Sequence, residues 1–394
     1  MRSKALLGLL ISTNIVVLLL QIKGLSISYN EAEIVYGGSS FLHWLIHFSL
    51  SLFGQTDYAL RLPMLLLHLC SVLLLYEISG YYLKRNEDRL WLLVFYILLP
   101  GVTSAALIVD DAGLTIASLF LFTYLHLRYG RYALWFVPLL MGINPSFVYL
   151  FFGLLLYGVI IKDKTYLAVG SISLSVMLYI NGMDVGGIPK GHFLDLLALY
   201  AAIFSPIVFI YLFYVLYRRL ITREWDLLWS IAMSAFFLSI ILSFRQKIAI
   251  QTFAPFVMLA LPLAAQTFLT TYRLRLREFR GRYYFLFIGA FVLLALNALA
   301  VFFNYHFYKI IDKPSHHFAY PMHVAGEMAA WLTKNGIHCI DADDQAMQLR
   351  LRFYGITQCE NYQLQNDYVP TATKVTISYN KKAIATYYVS KVNN

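Results

Sequence analysis

Apolar residues along this chain gather in long runs separated by short polar joints. The runs are roughly 17–25 residues, the length an α-helix needs to cross about 30 Å of hydrocarbon. Read in order they predict eleven spans: Ala5–Gln21, Tyr58–Tyr82, Leu90–Val109, Ala112–Leu127, Tyr132–Ile143, Ser146–Ile161, Tyr166–Met183, Phe193–Tyr217, Trp225–Ser243, Ile250–Thr271 and Tyr283–Asn304. Asn144-Pro145 divides the fifth from the sixth, and the fifth is short for an untilted span, so ten is the competing count. Two stretches depart from the pattern. Ile22–Asp57 contains Phe41–Phe53, an apolar run too short to cross, which carries His43, Trp44 and His47 and reads as a helix lying in the interface. From Tyr305 onward the composition turns polar. Val324–Asn335 and Asp344–Tyr354 have helical periodicity, and Gly336–Asp341 and Ile356–Asn361 read as strands. Lys374–Tyr379 and Ala383–Val389 read as a hairpin around Asn380-Lys381. The expected architecture is an all-α polytopic membrane bundle over residues 1–304, with an outer loop at 22–57, followed by a small extracytoplasmic α/β domain at 305–394.

Composition agrees with that picture. Of the 394 residues 60% are hydrophobic and 13% charged, where a soluble domain carries about 25% charged residues. The net charge of +10 would suggest nucleic acid in a soluble protein. Here the basic residues follow the joints between spans, so they report topology and not a nucleic-acid partner. One set of joints holds Arg2/Lys4, Lys84/Arg85/Arg89, Arg128/Arg131, Lys162/Lys164, Arg218/Arg219/Arg223 and the run Arg273–Arg282. The alternate joints hold only Lys23, Arg61, Lys190, Arg245 and Lys247. Eleven spans put the whole first set in the cytoplasm and the C-terminus outside; ten break the pattern after the sixth span. Met1–Gln21 has a basic start and an apolar run but no small-residue cleavage site, so it reads as a retained first helix. Cys70 lies mid-span as a packing residue, whereas Cys339 and Cys359 occupy corresponding places in the two outer strands and could pair in an oxidising compartment.

Charges at span ends are costly and mark candidate chemistry. Four groups fall on the expected outer side. Tyr29-Asn30-Glu31-Ala32-Glu33 opens the first outer loop, with Asn30 as a helix cap being the plain alternative. Asp110-Asp111 ends the third span; Asp111 could cap the next helix, which leaves Asp110 unexplained. Arg61 in Arg61-Leu62-Pro63 could snorkel to headgroups or meet a carboxylate or phosphate. Arg245 and Lys247, in Ser243-Phe244-Arg245-Gln246-Lys247, oppose the positive-inside trend and suit an anionic headgroup or simple interfacial anchoring. Carboxylates for acid/base work and cations for a lipid phosphate would together make a transfer site. The sequence has no glycine-rich phosphate loop, HExxH or CxxC motif.

Taken in order, these segments resemble the C-type membrane glycosyltransferases that use lipid-phosphate sugars, in the branch of the protein O-mannosyltransferases and the lipid A aminoarabinose transferase. The likeness rests on Tyr29–Glu33 and Ser39-Ser40-Phe41-Leu42-His43-Trp44-Leu45-Ile46. Leu52-Phe53-Gly54, Arg61-Leu62-Pro63 and Asp110-Asp111-Ala112-Gly113-Leu114 follow. Met141-Gly142-Ile143-Asn144-Pro145 and Ser243–Lys247 with Pro255 complete it. Residues 1–270 carry the resemblance. Asn30 stands where the family has an acid, Asn144 where it has a lysine, and Ser39-Ser40 where it has a proline pair.

The resemblance implies transfer of one sugar from a polyprenyl-phosphate donor to an envelope acceptor (lipid, glycan or protein) on the outer face of the cytoplasmic membrane. It implies Glu31 and Asp111 as first-choice catalytic carboxylates, with Glu33 and Asp110 second. Arg61, Arg245 and Lys247 would hold the donor phosphate, and Asn30 and His43 would contact substrate. No cofactor is certain, and a divalent metal is compatible. The rival classes are a transporter or flippase of a lipid-linked or anionic substrate, and a catalytically inactive relative.

Overall fold

A computed structural model describes residues 2–182, 191–317, 319–370, 372–379 and 382–392. Met183, Lys190 and the hairpin turn Asn380-Lys381 lie outside the described residues. The chain opens with α1 (Arg2–Ile22), α2 (Tyr29–Gly37), α3 (Phe41–Phe53) and α4 (Asp57–Tyr82). The helix expected at Phe41–Phe53 is α3, with the same bounds. Ser40 caps its start, accepting from the His43 amide at 3.2 Å. Gly54 ends it at φ +79°, a left-handed value that glycine adopts without a steric penalty.

Next come α5 (Asn86–Leu98), α6 (Pro100–Leu107), α7 (Asp111–Tyr129), α8 (Val137–Ile143), α9 (Val148–Ile161) and α10 (Lys164–Asn181). Then follow α11 (Phe193–Phe204), α12 (Pro206–Thr222), α13 (Leu227–Ser243), α14 (Ala254–Val257), α15 (Ala260–Leu274) and α16 (Gly281–Phe302). Several expected spans are broken. Leu90–Val109 is split between α5 and α6, bent by 65°, and Phe193–Tyr217 between α11 and α12, bent by 108°. Each break falls at a proline, Pro100 or Pro206, which lacks an amide and pushes the preceding residue out of helical geometry. The expected helix Tyr132–Ile143 begins as a 3₁₀ segment, Gly130–Phe136, before α8. Among the described residues four helices are long and apolar enough to cross a membrane, or up to six if each bent pair is one span. Phe41–Phe53, Pro145–Ile161 and Leu227–Ser243 are shorter apolar helices of 10–17 residues.

The chain ends with α17 (Ala325–Lys334), β1 (Asp341–Ala342), α18 (Gln345–Phe353), β2 (Tyr362–Gln365), β3 (Thr373–Tyr379) and β4 (Lys382–Lys391). The sheet has the order β1-β2-β4-β3, with β1 and β2 parallel and the other pairs antiparallel. The first two strands lie further along the chain than the expected Gly336–Asp341 and Ile356–Asn361. Those segments meet through a single bridge, Cys339 with Thr357, because regular pairing begins only at Asp341 with Gln363. Cys339 and Cys359 form a disulfide there, with Cα atoms 5.4 Å apart. Met328, Leu332, Ile340, Met347, Leu351 and Leu364 fill the core between the sheet and its helices.

The chain folds as two compact units. One joins Met1–Ile15, Met64–Ala106 and Asp111–Ala298; the other joins Val16–Pro63, Leu107–Asp110 and Leu299–Asn394. The expected division at residue 304 treats the first outer loop as part of the bundle, whereas here it groups with the C-terminal segment. Backbone hydrogen bonding accounts for this grouping. The Ser26 amide and hydroxyl both donate to the Met322 carbonyl, at 2.8 and 2.7 Å. The Ile27 amide donates to the Tyr354 hydroxyl at 3.0 Å. Groups of the loop that would otherwise be buried unpaired are satisfied by the C-terminal segment.

Candidate functional site

In the second unit the first acidic motif folds around a buried ion pair. The expected cap at Asn30 lies two residues earlier, at Ser28, whose hydroxyl accepts from the Glu31 amide. Glu31 completes a capping box, its Oε2 accepting from the Ser28 amide at 2.8 Å and the Ser28 hydroxyl at 3.0 Å. The same oxygen meets Nη2 of Arg61 at 3.3 Å, and Oε1 accepts from the Val109 amide at 3.0 Å. Glu31 and Arg61 are both fully buried.

Arg61 spends its donors in place. Its Nε donates to the Leu107 carbonyl at 2.9 Å, Nη1 to the Leu25 carbonyl at 3.1 Å and Nη2 to the Ser26 carbonyl at 3.0 Å. Asp57 accepts from Nη1 at 3.4 Å and from the Tyr354 hydroxyl at 3.0 Å. A guanidinium has five N–H donors, and these partners engage all of them, so Arg61 cross-links the segments around it instead of presenting a charge to solvent or snorkelling. Glu31 likewise has both oxygens occupied. Asn30 and Glu33, on the same short helix, are exposed, and Asp110 is half-buried.

His43 sits against the end of α2. Its Nδ1 donates to the Ile34 carbonyl at 2.7 Å, and His47, one turn on, donates from Nε2 to the Val35 carbonyl at 2.8 Å. A carbonyl only accepts, so each contacting nitrogen carries the proton. The two rings, 4.3 Å apart, satisfy carbonyls that the end of α2 leaves without helical partners.

In the first unit Asp111 is the first residue of α7 and is exposed. Its carboxylate accepts a hydrogen bond from the Asn144 side chain. Asn144 is buried, and its Oδ1 accepts from the Ser146 amide at 2.7 Å, which leaves the Nδ2 donors for Asp111. The break at Asn144-Pro145 thus delivers an amide to the second acidic site. Asn144 is not among the residues expected to act in the site; the Asn-Pro step between two short apolar runs is the signal in the sequence. Gly113 lets α7 approach α6, since a Cβ there would lie 2.8 Å from the Ala105 carbonyl oxygen. Arg245 and Lys247 follow α13 and are exposed, and among the described residues neither forms an ion pair. His192, also absent from the sequence reading, is tied to the same corner, its amide donating to the Ser243 carbonyl at 2.9 Å.

Among the described residues no group of three or more His, Cys, Asp or Glu side chains comes together to hold a metal ion. The expected compatibility with a divalent metal has no such donor set among the described residues.

The fold is similar to the crystal structure of ArnT from Cupriavidus metallidurans bound to undecaprenyl phosphate, with a TM-score of 0.58 and 11% identity, over 98% of this chain and 98% of that chain. No family model matches the sequence, and no curated protein matches it significantly. The chain therefore has an ArnT-like fold, mostly helical with a small C-terminal sheet.

Proposed function

We propose that this protein is a membrane glycosyltransferase that moves a sugar from a polyprenyl-phosphate donor to an envelope acceptor on the outer face of the cytoplasmic membrane. The observation that carries the reading is the fold likeness to a protein captured with undecaprenyl phosphate, which extends over nearly the whole of both chains. In the proposed reaction an acceptor hydroxyl attacks the anomeric carbon, the bond from that carbon to the phosphate oxygen breaks, and polyprenyl phosphate leaves with its electron pair. The stereochemistry at the anomeric carbon inverts. Asp111 takes the hydroxyl proton: it is exposed and ends a helix dipole, and a buried amide fixes its orientation. Arg245 and Lys247 neutralise the leaving phosphate. Glu33, Asp110 and Asn30 are assigned to contacts with substrate hydroxyls, a role their polar side chains suit. Glu31 and Arg61 support the reaction by holding the outer loop together, a role their burial favours over direct contact with substrate. The proposed topology keeps eleven crossings, several of them broken or short, with the N-terminus cytoplasmic and the C-terminal segment extracytoplasmic.

The test is a transfer assay with the purified full-length chain and a radiolabelled polyprenyl-phosphate sugar. It is paired with mass spectrometry of envelope lipids and glycans from cells with and without the gene. A sugar lost from one envelope component on deletion and restored by wild type, but not by Asp111→Asn, is the expected result. Unchanged envelope glycans together with no transfer would reject the reading.

A further inference from the structure

The first unit has a half-open cavity of about 390 Å³ between α5, α12, α15 and α16 that no part of the proposed reaction uses. Trp91 and Phe95 of α5, Tyr211 of α12, Phe268 and Tyr272 of α15 and Phe287 of α16 line it. From Leu261 to Tyr272 it follows α15 for roughly 16 Å at 1.5 Å per residue, close to the ~15 Å depth of one leaflet's hydrocarbon. Its end at Tyr272, Tyr283 and Glu87 lies on the side that the Lys/Arg pattern assigns to the cytoplasm.

That end is built for negative charge. The guanidinium of Arg275 lies over the Tyr283 ring at 4.9 Å and that of Arg280 over the Tyr272 ring at 5.6 Å, so both cations stand on rings that line the cavity. Asp88, which also lines the cavity, is neutralised by Arg273 at 2.5 and 2.7 Å. The joint from 273 to 282 carries Arg273, Arg275, Arg277, Arg280 and Arg282 against Glu278 alone, and Glu87 at the rim is exposed to water. An apolar channel one leaflet deep, with an aromatic wall and a cationic mouth, matches a phospholipid whose acyl chain enters the channel and whose phosphate meets the arginines.

We infer that this cavity binds an anionic glycerophospholipid of the cytoplasmic leaflet, at a site separate from the proposed transfer residues. The experiment uses the delipidated full-length protein in neutral detergent, with melting followed by tryptophan fluorescence and bound lipid counted by native mass spectrometry. Phosphatidylglycerol, phosphatidylcholine and undecaprenyl phosphate are added separately. Phosphatidylglycerol should raise the melting temperature by about 3 °C or more, through preferential binding to the folded state, with phosphatidylcholine giving a smaller shift. The double variant Arg275→Gln, Arg280→Gln should lose that preference, and Ala265→Phe, which fills the cavity, should lose the bound phosphatidylglycerol itself. Equal shifts for phosphatidylglycerol and phosphatidylcholine in wild type would overturn the inference. So would preference for undecaprenyl phosphate, or phosphatidylglycerol retained by Ala265→Phe. Discrimination among the three lipids by wild type needs no variant, so a misfolded mutant leaves the test intact.

Discussion

Glu31 and Arg61 are counter-ions at 3.3 Å, each fully buried, with every other polar atom of both side chains bonded to the segments around them. Neither charge reaches solvent. Removing one partner would strand the other in a dry environment, which costs about 3–5 kcal/mol.

Arg61→Ala and Glu31→Gln should therefore both act on folding. Each variant should melt well below wild type in detergent and be cut faster by protease in the outer loop, by an amount that reflects several kcal/mol. Arg61→Lys should rescue poorly, because an ammonium cannot reach carbonyls on Leu25, Ser26 and Leu107 at once. A wild-type melting curve for Arg61→Ala with only a raised donor KM would return Arg61 to the phosphate.

Asp111 and Asn144 should behave differently. Asp111→Asn should leave the melting curve nearly unchanged and cost roughly 10²–10⁴ in turnover, the usual value of a positioned base. Asn144→Ala should reduce turnover by roughly 10- to 150-fold, since it removes one hydrogen bond to a charged group worth roughly 1.5–3 kcal/mol. It should also alter the pH profile of turnover, because the carboxylate loses a donor that favours its ionised form. A shape-preserving Asp111→Asn with near-wild-type kcat would remove the base assignment.

Arg245 and Lys247 are exposed, so their alanine variants should fold normally. Each should raise the donor KM without changing acceptor KM, with the effect fading as salt is increased. Donor titration at fixed acceptor separates the outcomes. An unchanged donor KM in both variants would move the phosphate elsewhere.

The C-terminal segment carries a pH response of its own. His323 is buried, with Nδ1 3.0 Å from the Tyr308 hydroxyl. Burial, reinforced by His317, pushes its pKa down to about 4. His317 is held neutral as well: its Nδ1 accepts from the Ala319 amide at 3.0 Å and its Nε2 donates to the Asn304 carbonyl at 2.9 Å. Below an unfolded value of about 6.5 the unfolded chain binds more protons, so stability falls as pH drops from about 6.5 toward 4. The loss from His323 should be on the order of 1–3 kcal/mol. His323→Phe should flatten that limb of the melting-temperature profile between pH 4 and 6.5, and an unaltered acid limb would exclude His323 as its source.

Much of this architecture was legible along the chain. The apolar run at Phe41–Phe53 marks α3 because its length and its flanking Ser40 and Gly54 are local features. The last two strands, β3 and β4, are legible for the same reason, since side chains on a strand repeat every two residues. The cysteines could be matched because each sits at the same point of a strand pattern. Where proline interrupts an apolar run, hydropathy alone merges the two halves: α5 with α6, and α11 with α12. Hydropathy averages over a window and is blind to one missing amide.

The site was legible as residue types but not as partners. The family resemblance implies Glu31 as a base and Arg61 as a phosphate ligand. The fold pairs them across 30 residues, and joins Glu31 to Val109 across 78. No periodicity spans such distances, because charge pairing depends on which segments meet and on how much water remains between them. Asn144 is the opposite case: an uncharged residue, marked in the sequence by the proline after it and by standing where the resembled family has a lysine, and brought to Asp111 only by packing. The sequence by itself determined where helices and strands can form, through local spacing of apolar residues. Tertiary structure decided which charges are buried against each other and which stay exposed, because burial is a property of contacts between distant segments.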